Sequence, residues 1–75
     1  MNALRHIRKT IFQVTQAEFA LIAGVTQATV SRWENGVAPS LDEMQAIRRA
    51  AAERDIDWDD RLFFETPASE PEAAA

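Results

Sequence analysis

A chain of 75 residues holds one small domain, and without a cysteine it has no disulfide or thiolate metal site to reinforce it. A single histidine, His6, leaves few ways to assemble a nucleophile–base pair, and no apolar run approaches membrane length, so an enzyme and a membrane protein are both set aside. The net charge of −4 is unevenly spread: residues 1–54 carry a net +2 and residues 55–75 a net −6, the pattern of a working body with an acidic end.

Five helical segments and no strand are expected along the chain. Leu4, Ile7 and Ile11 recur at helical spacing behind a possible Asn2 cap, with Arg5, Arg8 and Lys9 on the other faces. Phe12-Gln13-Val14 interrupts that pattern. Thr15-Gln16-Ala17-Glu18 is a capping box, and the helix it opens carries Phe19, Ala20, Ile22 and Ala23 and stops at Gly24. Thr26 caps a third helix, Gln27 to Asn35, with Val30 and Trp33 as its buried residues; Asn35-Gly36 ends it.

Pro39 keeps Ala38 out of a helix, and Ser40-Leu41-Asp42-Glu43 is a second capping box. The fourth helix it opens places Leu41, Met44, Ile47 and Ala51 on one face and Arg48, Arg49 and Arg54 largely off it. Asp57 is the expected cap of a short fifth helix, Trp58 to Phe64. Residues 66–75, rich in proline, alanine and glutamate, are expected to form a disordered tail beyond a domain spanning 1–65.

The informative unit is the pair of helices joined at Gly24-Val25-Thr26, a helix-turn-helix by spacing and turn chemistry. Gly24 accepts positive φ, Ala20 lets the helices approach, and Val25 and Val30 fill the space between them. Gln27, Ala28, Thr29, Ser31 and Arg32 are left on the outer surface, a short polar set able to hydrogen-bond base edges.

These residues resemble the lambda Cro and repressor type of helix-turn-helix, the XRE-like family. The matching strings are Thr15-Gln16-Ala17-Glu18-Phe19-Ala20, Ala23-Gly24-Val25-Thr26, Val30-Ser31-Arg32-Trp33-Glu34-Asn35-Gly36 and Pro39-Ser40-Leu41, with Leu4-Arg5 and Ile7-Arg8 fitting the first helix. The resemblance implies an all-α, five-helix, lambda-repressor-like domain whose third helix enters the major groove. It places Gln27, Ala28, Thr29 and Arg32 at base edges and Gln16, Ser31 and Asn35 at phosphates. Gln27 can pair with adenine through two hydrogen bonds, and the Ala28 and Thr29 methyls can meet a thymine methyl. Two positions depart from the family pattern: Gln13 stands where a glycine is usual between the first two helices, and Val37-Ala38 replaces a basic residue.

Trp33 belongs in the core, one turn from Val30, rather than on a base. His6 is expected at the surface or partly buried, without a role. Arg5, Arg8 and Lys9 either solubilise the first helix or touch phosphate. Asp55-x-Asp57-x-Asp59 departs from a calcium loop, because Asp60 and Thr66 stand where glycine and glutamate are required. Leu62, Phe63 and Phe64 cannot all face inward from one helix, so Ile56, Trp58, Leu62 and Phe64 are the expected homodimer surface.

The expected protein is a cytoplasmic, dimeric repressor of bacterial or phage origin that binds an inverted-repeat operator in double-stranded DNA, with no cofactor, metal or membrane partner. The alternatives are an antitoxin whose acidic tail holds a protein partner, and an interaction module that has lost DNA binding.

Overall fold

The computed structural model describes residues 2–64, so the expected tail, 66–75, lies outside the described residues. Four α-helices follow one another: α1 (Ala3–His6), α2 (Gln16–Ala23), α3 (Gln27–Glu34) and α4 (Leu41–Glu53). Among the described residues there is no strand. α1 runs without a break into a π-helical stretch, Ile7–Phe12, and a single 3-10 turn, Asp60–Phe63, closes the described chain.

Each helix starts where its cap residue dictates. Asn2 accepts from the Arg5 N–H at 3.0 Å, and its own amide reaches across the fold to the Trp33 carbonyl at 2.8 Å. Both capping boxes form: the Thr15 hydroxyl accepts from the Glu18 N–H while Glu18 accepts from the Thr15 N–H, and Ser40 and Glu43 repeat the exchange. Thr26 accepts from the Thr29 N–H at 3.1 Å. Gly24 ends α2 at φ 75°, a left-handed conformation natural to glycine.

The π-helical stretch alters the reading of the first segment. Phe12 does not interrupt it but lies within it, and both Ile7 and Phe12 are buried while Ile11 is only half-buried. Five residues apart, two side chains stand about 140° from each other on an α-helix. A wider turn brings both toward the same core, which periodicity at 3.6 does not anticipate.

The first helical stretch then stops at Gln13, which adopts φ 59° and ψ 50°. The Gln13 N–H donates to the Arg8 carbonyl, and the Val14 N–H donates to the same oxygen at 3.2 Å. A left-handed non-glycine costs about 1–2 kcal/mol, whereas glycine adds about 0.4–1 kcal/mol of unfolded-chain entropy. Gln13→Gly is therefore expected to stabilise the domain by about 0.5–1 kcal/mol, seen as a higher denaturant midpoint at unchanged slope. A lower midpoint would mean that the Gln13 side chain contributes more than its backbone costs.

The core draws on every helix. Phe19, Ile7, Ile47 and Val30 are the largest fully buried side chains, joined by Leu4, Phe12, Trp33 and small Ala20, Ala23, Ala50 and Ala51. Each large side chain so buried contributes about 1.5–3 kcal/mol. Phe19 sits edge-on between Phe12 and Trp33, with ring centroids 5.2 and 6.2 Å away. α2 packs on α3 and α4, and α1 packs on α3. Alanine at 20, 23, 50 and 51 lets these helices come close.

Four expectations need correction. The fifth element is a 3-10 turn capped by Asp59, whose carboxylate accepts from the Arg61 N–H at 2.9 Å, not a helix from Trp58 capped by Asp57. Leu41, expected on the buried face, is 70% exposed because it opens α4 ahead of the first turn that reaches the core. His6, expected at the surface or partly buried, is buried, since it occupies the inner side of α1 beside Leu4 and Ile7. Arg8, expected on an outer face, is turned inward with a side chain only 13% exposed.

Candidate nucleic-acid interface

α3 is anchored by its inner side and open on its outer one. Val30 and Trp33 are buried against α2 and the first helix, at 0% and 2% exposure. That register leaves Gln27, Ala28 and Arg32 exposed, with Thr29 and Ser31 half-buried at the margin of the outer face. The four residues expected at base edges are thus brought together on one surface.

They are also partly organised among themselves. Arg32 Nη2 donates to Thr29 Oγ1 at 3.0 Å, and the Thr29 and Thr26 hydroxyl oxygens lie 3.1 Å apart. Asn35, the C-cap of α3, is exposed, and its side-chain amide donates to the Ser31 carbonyl at 2.9 Å. Ser31 and Asn35 therefore sit side by side at the end of α3, while Gln16 sits at the start of α2.

Gln16 is tied to a cluster that sequence patterning missed. Its Nε2 donates to Glu34 Oε1 at 3.1 Å. Arg8 grips the same carboxylate with two donors, Nε to Oε2 and Nη2 to Oε1 at 3.2 Å, and reaches the Val14 carbonyl with Nη1 at 3.1 Å. The Glu34 side chain is only 8% exposed. One ion pair therefore joins the first helix, the loop before α2, the start of α2 and the end of α3. A signal was present: Arg8 lies midway between Leu4 and Phe12, and Glu34 lies one turn after Val30, two charges on otherwise apolar stripes.

Burial pushes the Glu34 carboxyl upward, but the hydrogen bonds from Arg8 and Gln16 and the charge of Arg8 prevail and hold it below the ordinary 4.5. A depressed carboxyl contributes stability that is fully present above pH 4.5 and disappears as pH falls through its folded value. Two surface carboxyls share the direction: Glu18, held down first by the Thr15 N–H, and Asp59, held down first by the Arg61 side chain. Denaturant midpoints measured from pH 7 to pH 3 are thus expected to fall below about pH 4.5, less steeply in Glu34→Gln than in the parent. Equal slopes in the two proteins would show that Glu34 titrates as an ordinary surface carboxyl.

The expected pairing residues divide. Ile56, Trp58 and Leu62 are half-buried and pack against the core, Trp58 standing edge-on to Phe12 at 6.4 Å. Phe64 is 73% exposed. Two clefts of about 200 and 190 Å³ meet at Phe63 and Phe64; Leu41 borders one and Val37 the other, and both of those side chains are exposed. Sequence patterning did not single out Val37 or Leu41 as part of an apolar surface.

Among the described residues no cluster of His, Cys, Asp or Glu is arranged to hold a metal ion, and no helix is long and apolar enough to cross a membrane. A helix-turn-helix family model matches residues 4–58. No curated protein and no solved structure matches the chain.

Proposed function

The chain belongs to the XRE-like helix-turn-helix family of DNA-binding transcription regulators, and from that premise we propose that it is a repressor that binds an inverted-repeat operator as a homodimer. The observation that carries this reading is the outer face of α3, where Gln27, Ala28, Thr29 and Arg32 stand together on a helix whose opposite face is locked into the core. A major groove admits such a helix, and these side chains match its code: Gln27 for adenine, the Ala28 and Thr29 methyls for thymine, Arg32 for guanine or a phosphate.

Phosphate contacts fall to the flanks. Gln16 keeps a second amide proton beyond the one it gives Glu34, and the first N–H groups of α2 lie ahead of the capped Glu18. Ser31 and Asn35 serve the other end of α3. So few cations face DNA that affinity per protomer is modest, which favours pairing.

Symmetric half-sites lie about 34 Å apart, and the described residues of one protomer, 33 Å in longest extent, carry one recognition helix. Two protomers are therefore needed to fill such an operator. Pairing is proposed through Phe64 and the exposed parts of Ile56, Trp58 and Leu62, extended by Leu41 and Val37 across the clefts they border. Phe64→Glu, at an exposed position, is expected to leave the fold intact and shift sedimentation toward monomer at high micromolar concentration. A parent that is monomeric there without DNA argues against this surface.

Repression then follows where the dimer occupies a promoter and excludes polymerase. The test is selection of bound sequences from a random duplex library at about 100 mM salt, where counterion release still permits specific binding. An inverted repeat with half-site centres one helical turn apart supports both the reader and its symmetry. Equally weak binding to every duplex overturns the proposal in favour of a protein-interaction module.

A further inference from the structure

We propose that the Thr29 hydroxyl is a positioning group for Arg32, and that Arg32 held in this way reads a guanine; the inference rests on the placement of α3 in the major groove proposed above. An exposed arginine surrenders much rotamer freedom when a base fixes it. Here the side chain is already held, because Nη2 donates to Thr29 Oγ1 at 3.0 Å. Thr29 lies three residues earlier, so the guanidinium lies back along α3 toward the end that enters the groove.

The chemistry of the guanidinium fixes the direction of the Arg32 bond. A guanidinium can only donate, so the Thr29 oxygen accepts. The Thr29 and Thr26 hydroxyls lie 3.1 Å apart and share a hydrogen bond in which either can donate, while Thr26 Oγ1 also accepts the Thr29 backbone N–H. The Thr29 oxygen is thus engaged by Arg32 on one side and Thr26 on the other. One Nη2 proton serves Thr29, and whichever of the two it is, a complete two-donor fork remains: Nε with Nη2, or Nη1 with Nη2. Guanine alone offers paired acceptors, N7 and O6, to such a fork in the major groove, whereas adenine sets an amino donor beside its N7.

Thr29→Val preserves shape, and it leaves the α3 cap intact because that cap uses the backbone N–H of residue 29. Competition binding on the selected operator and its single-base-pair variants, with Thr29→Val, Thr29→Ser and Arg32→Ala, tests the assignment. Thr29→Val is expected to lose about tenfold in affinity. That loss falls at the same G·C pair where Arg32→Ala loses discrimination, adds nothing to Arg32→Ala, and is restored at that pair by Thr29→Ser, which keeps the hydroxyl and gives up only the methyl. Loss at a different pair, unchanged affinity, or an Arg32-dependent pair other than G·C overturns the inference.

A second measurement needs no DNA. Relaxation of the Arg32 side-chain Nε–H in the free protein is expected to show greater mobility in Thr29→Val than in the parent. Equal mobility overturns the positioning role even where the operator is clear. A parent that selects no motif, yet loses Arg32 order in Thr29→Val, marks failure of the groove placement instead and takes the guanine assignment with it.

Discussion

Glu34→Ala is expected to remove about 3–5 kcal/mol of stability, because it strands the Arg8 guanidinium in a site it shares with little water. A domain of this length has roughly 4–11 kcal/mol in total, so a large part of the folded population is at stake at physiological temperature. Arg8 loses both carboxylate bonds and retains only the Val14 carbonyl. Glu34→Gln is expected to cost less, since an amide oxygen can still accept from Arg8. Guanidinium denaturation of both variants, and of Arg8→Ala with the double mutant, measures the pair directly through its coupling energy. A loss below about 1 kcal/mol for Glu34→Ala would place this pair with exposed ones screened by solvent.

The same cluster links stability to recognition. Replacing both charges by apolar residues, as in Arg8→Met with Glu34→Leu, is expected to recover most of the stability, because desolvation of the pair offsets much of its attraction. It also leaves Gln16 without its acceptor. DNA affinity is then expected to fall roughly uniformly across sequences, the mark of a lost phosphate contact rather than a lost base contact.

Gln27→Ala is expected to have the opposite character. Gln27 is exposed and opens α3 after the Thr26 cap, so folding is scarcely affected. Discrimination at one base pair should fall by about 1–3 kcal/mol per half-site, and a symmetric operator bound by two protomers counts that loss twice. Arg32→Ala should relax a different base pair. Titrations on the selected operator and its point variants, at fixed salt, separate these effects. If both variants bind like the parent, α3 is not the reading helix.

The comparison between chain and fold turns on range. Asn2, Thr15, Thr26 and Ser40 each act within three residues, through side-chain oxygens aimed at nearby N–H groups, and each was legible before any fold was known. Gly24 acts through its own φ, and the alternation of Val30 and Trp33 with polar neighbours marks the two sides of α3. Membership of the helix-turn-helix family was legible for the same reason, because its signature is a run of local turn chemistry and periodic burial.

What the chain could not disclose lies between segments far apart in sequence. Nothing local pairs Arg8 with Glu34, 26 positions on, or sends the Asn2 amide to the Trp33 carbonyl, 31 positions on. Helical periodicity at 3.6 also hides a π-helical stretch, and so leaves Phe12 outside the helix it completes. Leu41 and Phe64 carry the same apolar character as Ile47 and Phe19, yet they are exposed. Hydrophobicity states only that a side chain gains by leaving water; which ones find a neighbour is decided by how the helices pack. By itself the sequence determined α2, α3 and α4, the caps that open α1 to α4 and the two sides of α3, since those depend on neighbours within a turn. The tertiary structure alone decided the buried ion pair behind that helix and the apolar surface left uncovered, since both depend on where distant segments meet.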